Sequence, residues 1–294
     1  MSRFWYFTII LSMVTFMLSS FTWMSLPVTK QEKYIERYTK KDSEDTPNEK
    51  SFKSYYLDLG RGESTIMLTP TNQVILIDVG NVESFNKLSF ILQELGITTI
   101  DFLFITTNEI DHSGALPELA KKIAIKNLFI SKSMTEGMED NVKQTISKMS
   151  NVITMSDGKK IHIEDQVEIV AYFENPLVLS IRHNEITYLH MSDGNFETEE
   201  ELIKKYPKHI KAHILKVGNH GQSLTCSDEF IKTVNPQVAI ILGGDREDNN
   251  RPSYGVLERL TESWIDVYQN DVKGTILITS DGAKYDVKTH ITAY

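Results

Sequence analysis

Six side chains able to do acid–base or metal chemistry fall where apolar runs end. Asp78 closes "VILID", Glu109, Asp111 and His112 follow "FLFIT", Asp193 follows "TYLHMS", and His220 follows "HILKVG". Loops at strand ends on one sheet edge converge in space, which lets residues distant in sequence share one site. Carboxylate and imidazole together suit a borderline divalent cation, zinc before manganese. Such an ion lowers the pKa of bound water and polarises a phosphoryl or carbonyl oxygen. Plainer readings stand beside each residue. Asp111 and His112 before Ser-Gly serve equally as a cap for the helix at "GALPEL". "SDG" around Asp193 recurs at 156–158 and 280–282, where hairpin turns are the natural reading. A single His before Gly, as at His220, is more often structural. His162, His183, His190, His209, His213 and His290 lie in or beside ordinary strands and helices and read as structural.

The elements that must position these residues are legible as short apolar runs. "SYYLDLG", "STIMLT" and "QVILIDVG" are separated by Gly, Pro and Asn signals and read as three strands of a meander. In "VESFNKLSFILQEL", Phe85, Leu88, Leu92 and Leu95 share one helical face. "IDFLFIT" is a buried strand, and "GALPELAKKIA" a helix with Pro in its first turn. "NLFIS" is a strand, followed by a helix across about 134–149. The second half has strands at "QVEIVAY", "PLVLSIR", "ITYLHMS", "AHILKVG" and "QVAIILGG", with helices at "ETEEELIKKY", after "CSDEF" and at "YGVLERLTESW". Two closing strands lie at "GTILITS" and "AKYDVKT". Interleaved strands and helices with hairpins at both ends fit an α/β fold of two mixed sheets with helices outside, an αββα sandwich, better than one parallel sheet.

Of the 294 residues, 40% are hydrophobic, enough for one sizeable domain. The net charge of −9 argues against an extended phosphate-binding face. A single cysteine, Cys226, excludes an internal disulfide framework and a Cys-based zinc cluster. Residues 4–24, "FWYFTIILSMVTFMLSSFTWM", carry no charge, and as a helix would span about 30 Å, the thickness of a bilayer core. Trp5, Tyr6 and Trp23 sit near its ends, where interfacial aromatics are expected. The length of the run and the lack of an A-x-A-like site favour an uncleaved transmembrane anchor over a cleaved signal peptide. The organisation expected is an anchor at 1–26, a polar linker at 27–52 and a globular domain at 53–294. Lys30, Lys33, Arg37, Lys40 and Lys41 after the span favour a cytoplasmic C-terminus by charge count, although long soluble domains translocate regardless of flanking charge.

The order of the motifs adds a family resemblance. "YLDLGRGESTIMLTPTNQVILIDVG" resembles the opening of the metallo-β-lactamase-fold domain of the ComEC family of competence proteins, approximately LDVGQGDS, a strand, then LIDGG. "FITTNEIDHSGALPEL" resembles that family's S/T-H-x-D-x-D-H-x-G-G loop, and "YLHMSDGNFETEEELI" its LLTGD strand end and acidic helix. "ILKVGNHGQSLTCSDEFIKTVNPQVAII" resembles its LKVxHHGS segment, and "NNRPSYGVLERL" with "VYQNDVKGTILITSDGAKYDV" its closing region. The resemblance runs from about Tyr55 to Val287. It implies the αββα metallo-β-lactamase fold, a hydrolase of a phosphodiester or related ester, and an extracytoplasmic domain.

The departures from that pattern lie in the site itself. Thr107 stands at the loop's first His and Glu109 at its first Asp, while Asp111 and His112 match. Asn219 replaces the first His of the tandem pair, His220 matches the second, and Asp193 matches the TGD aspartate. Gln222 and Arg251 replace a Ser and a His. In the general fold the missing half serves one metal and the retained half the other. The resemblance therefore implies one divalent metal held by Asp111, His112, Asp193 and His220, with a second metal lost. Asp111 and Glu109 would act in catalysis, Arg251 and Asn219 would bind an anionic substrate, and Asp78 and Asp58 would support the site. A small or envelope-polymer anion fits the acidic chain better than long nucleic acid. The competing reading is a catalytically inactive descendant serving as a membrane-anchored interaction module.

Overall fold

Alternating burial along the strands sorts the chain into two stacked sheets. The computed structural model describes residues 51–243 and 252–290, so the anchor expected at 4–24, nearly all of the expected linker and Arg251 lie outside the described residues. The chain opens with antiparallel β1 (Phe52–Tyr56), β2 (Thr65–Leu68) and β3 (Val74–Ile77). The short β4 (Thr99–Ile100) and β6 (Ala124–Ile125) pair with each other, while β5 (Phe102–Phe104), β7 (Leu128–Ser131) and β8 (Val152–Met155) add parallel to β3. Between these strands run α1 (Phe85–Glu94), the single turn α2 (Ile110–Ser113), α3 (Leu116–Lys122) and α4 (Asp140–Ser147).

The second sheet repeats the plan. β9 (Lys160–Glu164), β10 (Val167–Tyr172), β11 (Val178–His183) and β12 (Ile186–His190) are antiparallel, and β13 (Ile214–Lys216), β14 (Val238–Ile241) and β15 (Asp266–Gln269) follow in parallel. α5 (Phe196–Lys205), α6 (Asp228–Val234), α7 (Tyr254–Glu262) and the short α8 (Asn270–Lys273) accompany it. β16 (Thr275–Ser280) and β17 (Tyr285–His290) then return to the first sheet, β16 pairing antiparallel with β1.

Period-two alternation builds the layers. Tyr188, Ile214, Val238 and Ile240 share a core with Phe52, Ile66 and Leu103 of the opposite sheet. Their neighbours Leu189, Leu215, Ala239 and Ile241 turn the other way, against Leu202, Phe230, Val256 and Leu260 of α5, α6 and α7. This is the four-layered αββα sandwich. α1 buries Phe85, Leu88 and Leu92 and leaves Phe90 half exposed, as its apolar spacing requires. The helix read across 134–149 resolves into a 3-10 turn at Lys132–Met134 and α4. β8, β9 and β15 go beyond the strands expected from the sequence; each is the outermost strand at one edge of its sheet and keeps exposed positions. Among the described residues no helix is long and apolar enough to cross a membrane.

The topology fixes where chemistry can sit. β3 and β5 run parallel in one sheet, and β12 and β13 in the other, so within each pair the carboxyl ends lie on one edge. Asp78, the 105–112 loop, Asp193 and His220 all follow those ends. Leu88→Ala should cost about 2–5 kcal/mol of stability and Phe90→Ala no more than about 0.5 kcal/mol, read from urea unfolding midpoints.

Candidate metal centre

The loop after β3 is held open by unusual backbone. Asp78 has φ 61, and its N–H donates to Phe104 O while Val79 N–H donates to His112 O. The Asp78 carboxylate accepts from Thr106 N–H (2.8 Å) and Thr106 Oγ1 (2.5 Å). One turn of helix, α2, then presents Asp111 and His112. Glu109 is its N-cap residue, its carbonyl accepting from His112 N, Ser113 N and Ser113 Oγ. The loop before β2 is stitched to the same turn, because Glu63 N–H donates to Asp111 O at 2.8 Å.

The second sheet supplies its residues from equally constrained backbone. Ser192 (φ 51) turns the chain before Asp193, and its Oγ lies 2.6 Å from Thr106 Oγ1, joining the two sheet edges. His220 (φ 52) sits in the 3-10 turn Asn219–Gly221, and Asn219 N–H donates to Ser192 O. Gly218 is required here, since a Cβ would lie 2.0 Å from Gly194 O. Buried Glu199 of α5 accepts from Ser227 N–H, and Arg259 donates to the carbonyls of Cys226 and Thr225. These contacts fix the loop that leaves His220.

The side chains converge. His112 directs Nδ1 at Asp78 Oδ2 (2.8 Å), which turns Nε2 to within 3.2 Å of Asp193 Oδ1. His220 Nδ1 lies 3.0 Å from Leu242 O, and a carbonyl can only accept, so this nitrogen carries the hydrogen. Its Nε2 then faces Asp111 Oδ2 at 3.1 Å and Asp193 Oδ1 at 3.9 Å. Glu63, 2% exposed, lies between the rings, Oε2 3.8 Å from His112 Nε2 and Oε1 3.0 Å from His220 Nδ1. Lys216 Nζ donates to Glu63 Oε2 and to Ser192 O. Ligand atoms of Glu63, His112, Asp193 and His220 all lie within 4.8 Å of one another. Donors bound to one ion at about 2.0–2.2 Å sit roughly 3–4 Å apart, so small side-chain shifts bring this set onto a shared cation.

A second observation tests the fit. Glu63 Oε1, His112 Nε2 and Asp193 Oδ1 are buried and form no hydrogen bond of good geometry, although His112 Nε2 lies 3.2 Å from Asp193 Oδ1 and Glu63 Oε1 3.0 Å from His220 Nδ1. Buried polar atoms are normally well paired, and a cation among these groups would satisfy them together. Both imidazoles also have Nδ1 tied to an oxygen acceptor, the outer arrangement that fixes a metal-binding tautomer. The residues present fit a divalent ion.

Electrostatics agree. Burial, the largest single influence, pushes the carboxyls up and the imidazoles down. Charges packed around the cluster reverse it for most members. Lys216, His220 and His112 hold Glu63 well below the usual range, and His112 and His220 hold Asp193 and Asp111 down. Asp193, Asp78 and Glu63 drive His112 up, and Glu63 with Asp111 brings His220 to about 9. For Asp78 burial prevails and its carboxyl is raised. His190, buried beside the cluster, is pushed down to about 3 by burial and then by Lys216.

Asp111, His112, Asp193 and His220 are thus brought together, with Asp78 directly behind His112. Asp58 is placed otherwise: its carboxylate accepts from Lys87 Nζ at 3.1 Å and from Gly60 N–H, bracing the 58–62 loop. Glu109 keeps its side chain exposed, outside the converging set. Thr107 is buried and its Oγ1 accepts from Glu109 N–H at 3.4 Å. Asn219 Nδ2 donates to Gln222 Oε1 at 3.4 Å. Two members were not among the site residues expected from the sequence. Glu63 matches an acid of the resembling family's pattern and reads equally as a turn acceptor in "LGRGES", and Lys216 reads as one residue of a buried strand. A lysine flanked by "HIL" and "VG", at the strand end leading to His220, was the available signal.

The metallo-beta-lactamase superfamily model matches residues 59–245. "ComE operon protein 3" of Bacillus subtilis (strain 168) is 29% identical over 248 residues, covering 75% of this chain and 32% of that protein. "Competence protein ComA" of Neisseria gonorrhoeae is 23% identical over 232 residues, covering 74% and 31%. The chain therefore spans about a third of either relative's length. Among solved structures, a variant of the CmlA beta-hydroxylase superposes with TM-score 0.53 at 13% identity, covering 87% of this chain and 60% of that one. Igni18, a metallo hydrolase of Ignicoccus hospitalis KIN4/I, superposes with TM-score 0.51 at 14% identity, covering 77% and 98%. These structural likenesses concern the fold.

Two outcomes follow from the centre. Without an ion His220 holds its proton up to about pH 9, and a metal must displace it. Affinity for zinc or manganese should therefore rise with pH until about 9 and level off above it, with proton release seen by calorimetry in buffers of different ionisation enthalpy. Asp78→Asn should weaken the metal by about 10–100-fold, since Asp78 orients His112.

Proposed function

The chain belongs to the metallo-beta-lactamase superfamily, and we propose that it is a metal-dependent hydrolase of a phosphodiester or related ester. We place it at a membrane, tethered through residues 4–24, with its domain on the extracytoplasmic side. The observation that carries the reading is the convergence of poorly paired buried donors from both sheets on one point. His112 Nε2, His220 Nε2, Asp193 Oδ1 and a second carboxylate would hold a single ion, zinc before manganese. When bound, it would supply Lewis acidity and make water a usable nucleophile near neutral pH.

The chain's own residues supply the rest. Asp111 is 23% exposed, open to the solvent side of a buried cluster. Its Oδ2 is the oxygen to take the proton of an attacking water. Asp193, 20% exposed, shares that open side. Asn219, on the rim beside His220, and Arg251 would orient the anionic substrate. Glu109, exposed at the N-cap of α2, would act as an outer base. The two relatives, one of them named a competence protein, support a competence-related membrane context. The chain's charge of −9 favours a small or envelope-linked anion over long nucleic acid.

One observation favours a second reading, a non-catalytic interaction module. With His112 and His220 protonated, the cluster is an internally paired network of charges and satisfies itself without an ion. Metal uptake separates the two. The full chain, incubated with zinc or manganese and desalted, should retain about one ion, whereas under about 0.2 equivalents would sink the hydrolase reading. Cleavage of bis(4-nitrophenyl) phosphate should be lost with chelator. Asp111→Asn should lower it by about 10²–10⁴-fold while the ion stays bound.

A further inference from the structure

We propose that Glu63 is the second carboxylate ligand of the ion, set in place by Lys216, and that it tunes which ion the centre prefers. The inference rests on the metal-dependent reading above.

Four observations support it. Glu63 is as buried as the two imidazoles, and its Oε1, 3.0 Å from His220 Nδ1, forms no hydrogen bond of good geometry. Its ligand oxygen belongs to the set lying within 4.8 Å of one another, together with His112, Asp193 and His220. Lys216 Nζ donates to Oε2, the oxygen 3.8 Å from His112 Nε2, and is itself fixed by Ser192 O, so the carboxylate is held in one orientation against the cluster. Backbone geometry adds the fourth: Glu63 N–H bonded to Asp111 O locks the two acidic loops in register.

The sequence carries the same message. In "LDLGRGES" a glutamate stands where the resembling family's LDVGQGDS has aspartate. The extra methylene carries the carboxylate further from the backbone, toward the rings. The same chain has Thr107 in place of the loop's first imidazole. One nitrogen donor is lost and one oxygen donor is extended.

A chemical consequence follows. Glu63 and Asp193 with two imidazoles give equal oxygen and nitrogen donors, and Asp111 stands beside them as a further oxygen. Oxygen-rich, higher-coordinate sites suit manganese, whereas zinc is content with four donors. Glu63 therefore narrows zinc's inherent advantage. Lys216 offsets one of the three carboxylate charges gathered there, which lets all three stay ionised in a buried site. Lys216 is a positioning residue, acting through Glu63.

The test uses the full chain and measures Mn²⁺ and Zn²⁺ affinities by competition with a chromophoric chelator. Glu63→Gln keeps the length and still accepts from Lys216, so the fold should survive. It should weaken Mn²⁺ by about 100-fold and Zn²⁺ by about 10-fold, moving the preference by roughly tenfold. Glu63→Asp keeps the charge but retracts the oxygen, and should show the same direction of change. Lys216→Met should weaken both ions, and Lys216→Arg should restore most of the loss. Equal affinities in wild type and Glu63→Gln would overturn the ligand assignment while leaving the metal centre standing. So would full recovery in Glu63→Asp. Equal losses for the two ions would overturn the selectivity role. A wild-type chain that takes up neither ion would overturn this inference and the hydrolase reading together.

Discussion

Three carboxylates, two imidazoles and an ammonium meet where the edges of two sheets come together, and the rest of the site is arranged around keeping those charges compatible. Glu63 and Lys216 are almost fully buried, so neither can rely on water. Carboxylates crowded in a dry space become neutral unless cations face them. Here each acid has such a neighbour: Lys216 beside Glu63, His112 beside Asp193, His220 beside Asp111. Removing any one partner leaves a buried charge without a counterpart.

That constraint explains the strained backbone around the centre. Asp78, Ser192, Asn219 and His220 all adopt positive φ without being glycine, and all lie at or just after strand ends that feed the site. Each such conformation costs of order 1–3 kcal/mol. The surroundings over-determine them. Thr106 bonds Asp78 and touches Ser192, and Asn219 N–H bonds Ser192 O, so three loops fix one another. Glu199 and Arg259 then secure the segment beyond His220 from the helical layer. A site built on this lattice is rigid where donors converge and open on the side of Asp111 and Asp193.

The same scaffold can serve different chemistry, since it superposes on a beta-hydroxylase as well as on a metallo hydrolase. Identity of donors therefore matters more than the sandwich. In this chain the donor set departs from the family pattern at Thr107, Glu109, Asn219 and Glu63. Only the last of these lies inside the converging cluster. The other three line its surroundings: Thr107 buried in a local hydrogen bond, Glu109 at a cap and Asn219 against Gln222.

Periodicity and punctuation in the sequence by themselves determined the layered α/β architecture, because burial on alternate strand faces and on one helix face leaves a pattern that survives in one dimension. Motif order added the family, and the positions of Asp111, His112, Asp193 and His220 marked the strand ends where the cluster forms. The edge strands β8, β9 and β15 are short and partly exposed, and although "KIHIE" alternates, such runs lack the apolar density that marks the inner strands. Glu63, though it matches a family acid, and Lys216 could not be assigned to the site for a different reason. They are 153 positions apart, and nothing local distinguishes a turn glutamate or a strand lysine from one aimed into a buried cluster. Asp58 and Glu63 look alike in "LDLGRGES", yet one braces a loop against Lys87 and the other faces two imidazoles. Only the stacking of the two sheets decided between them, because burial and the charge that compensates it are properties of the assembled site and not of either segment.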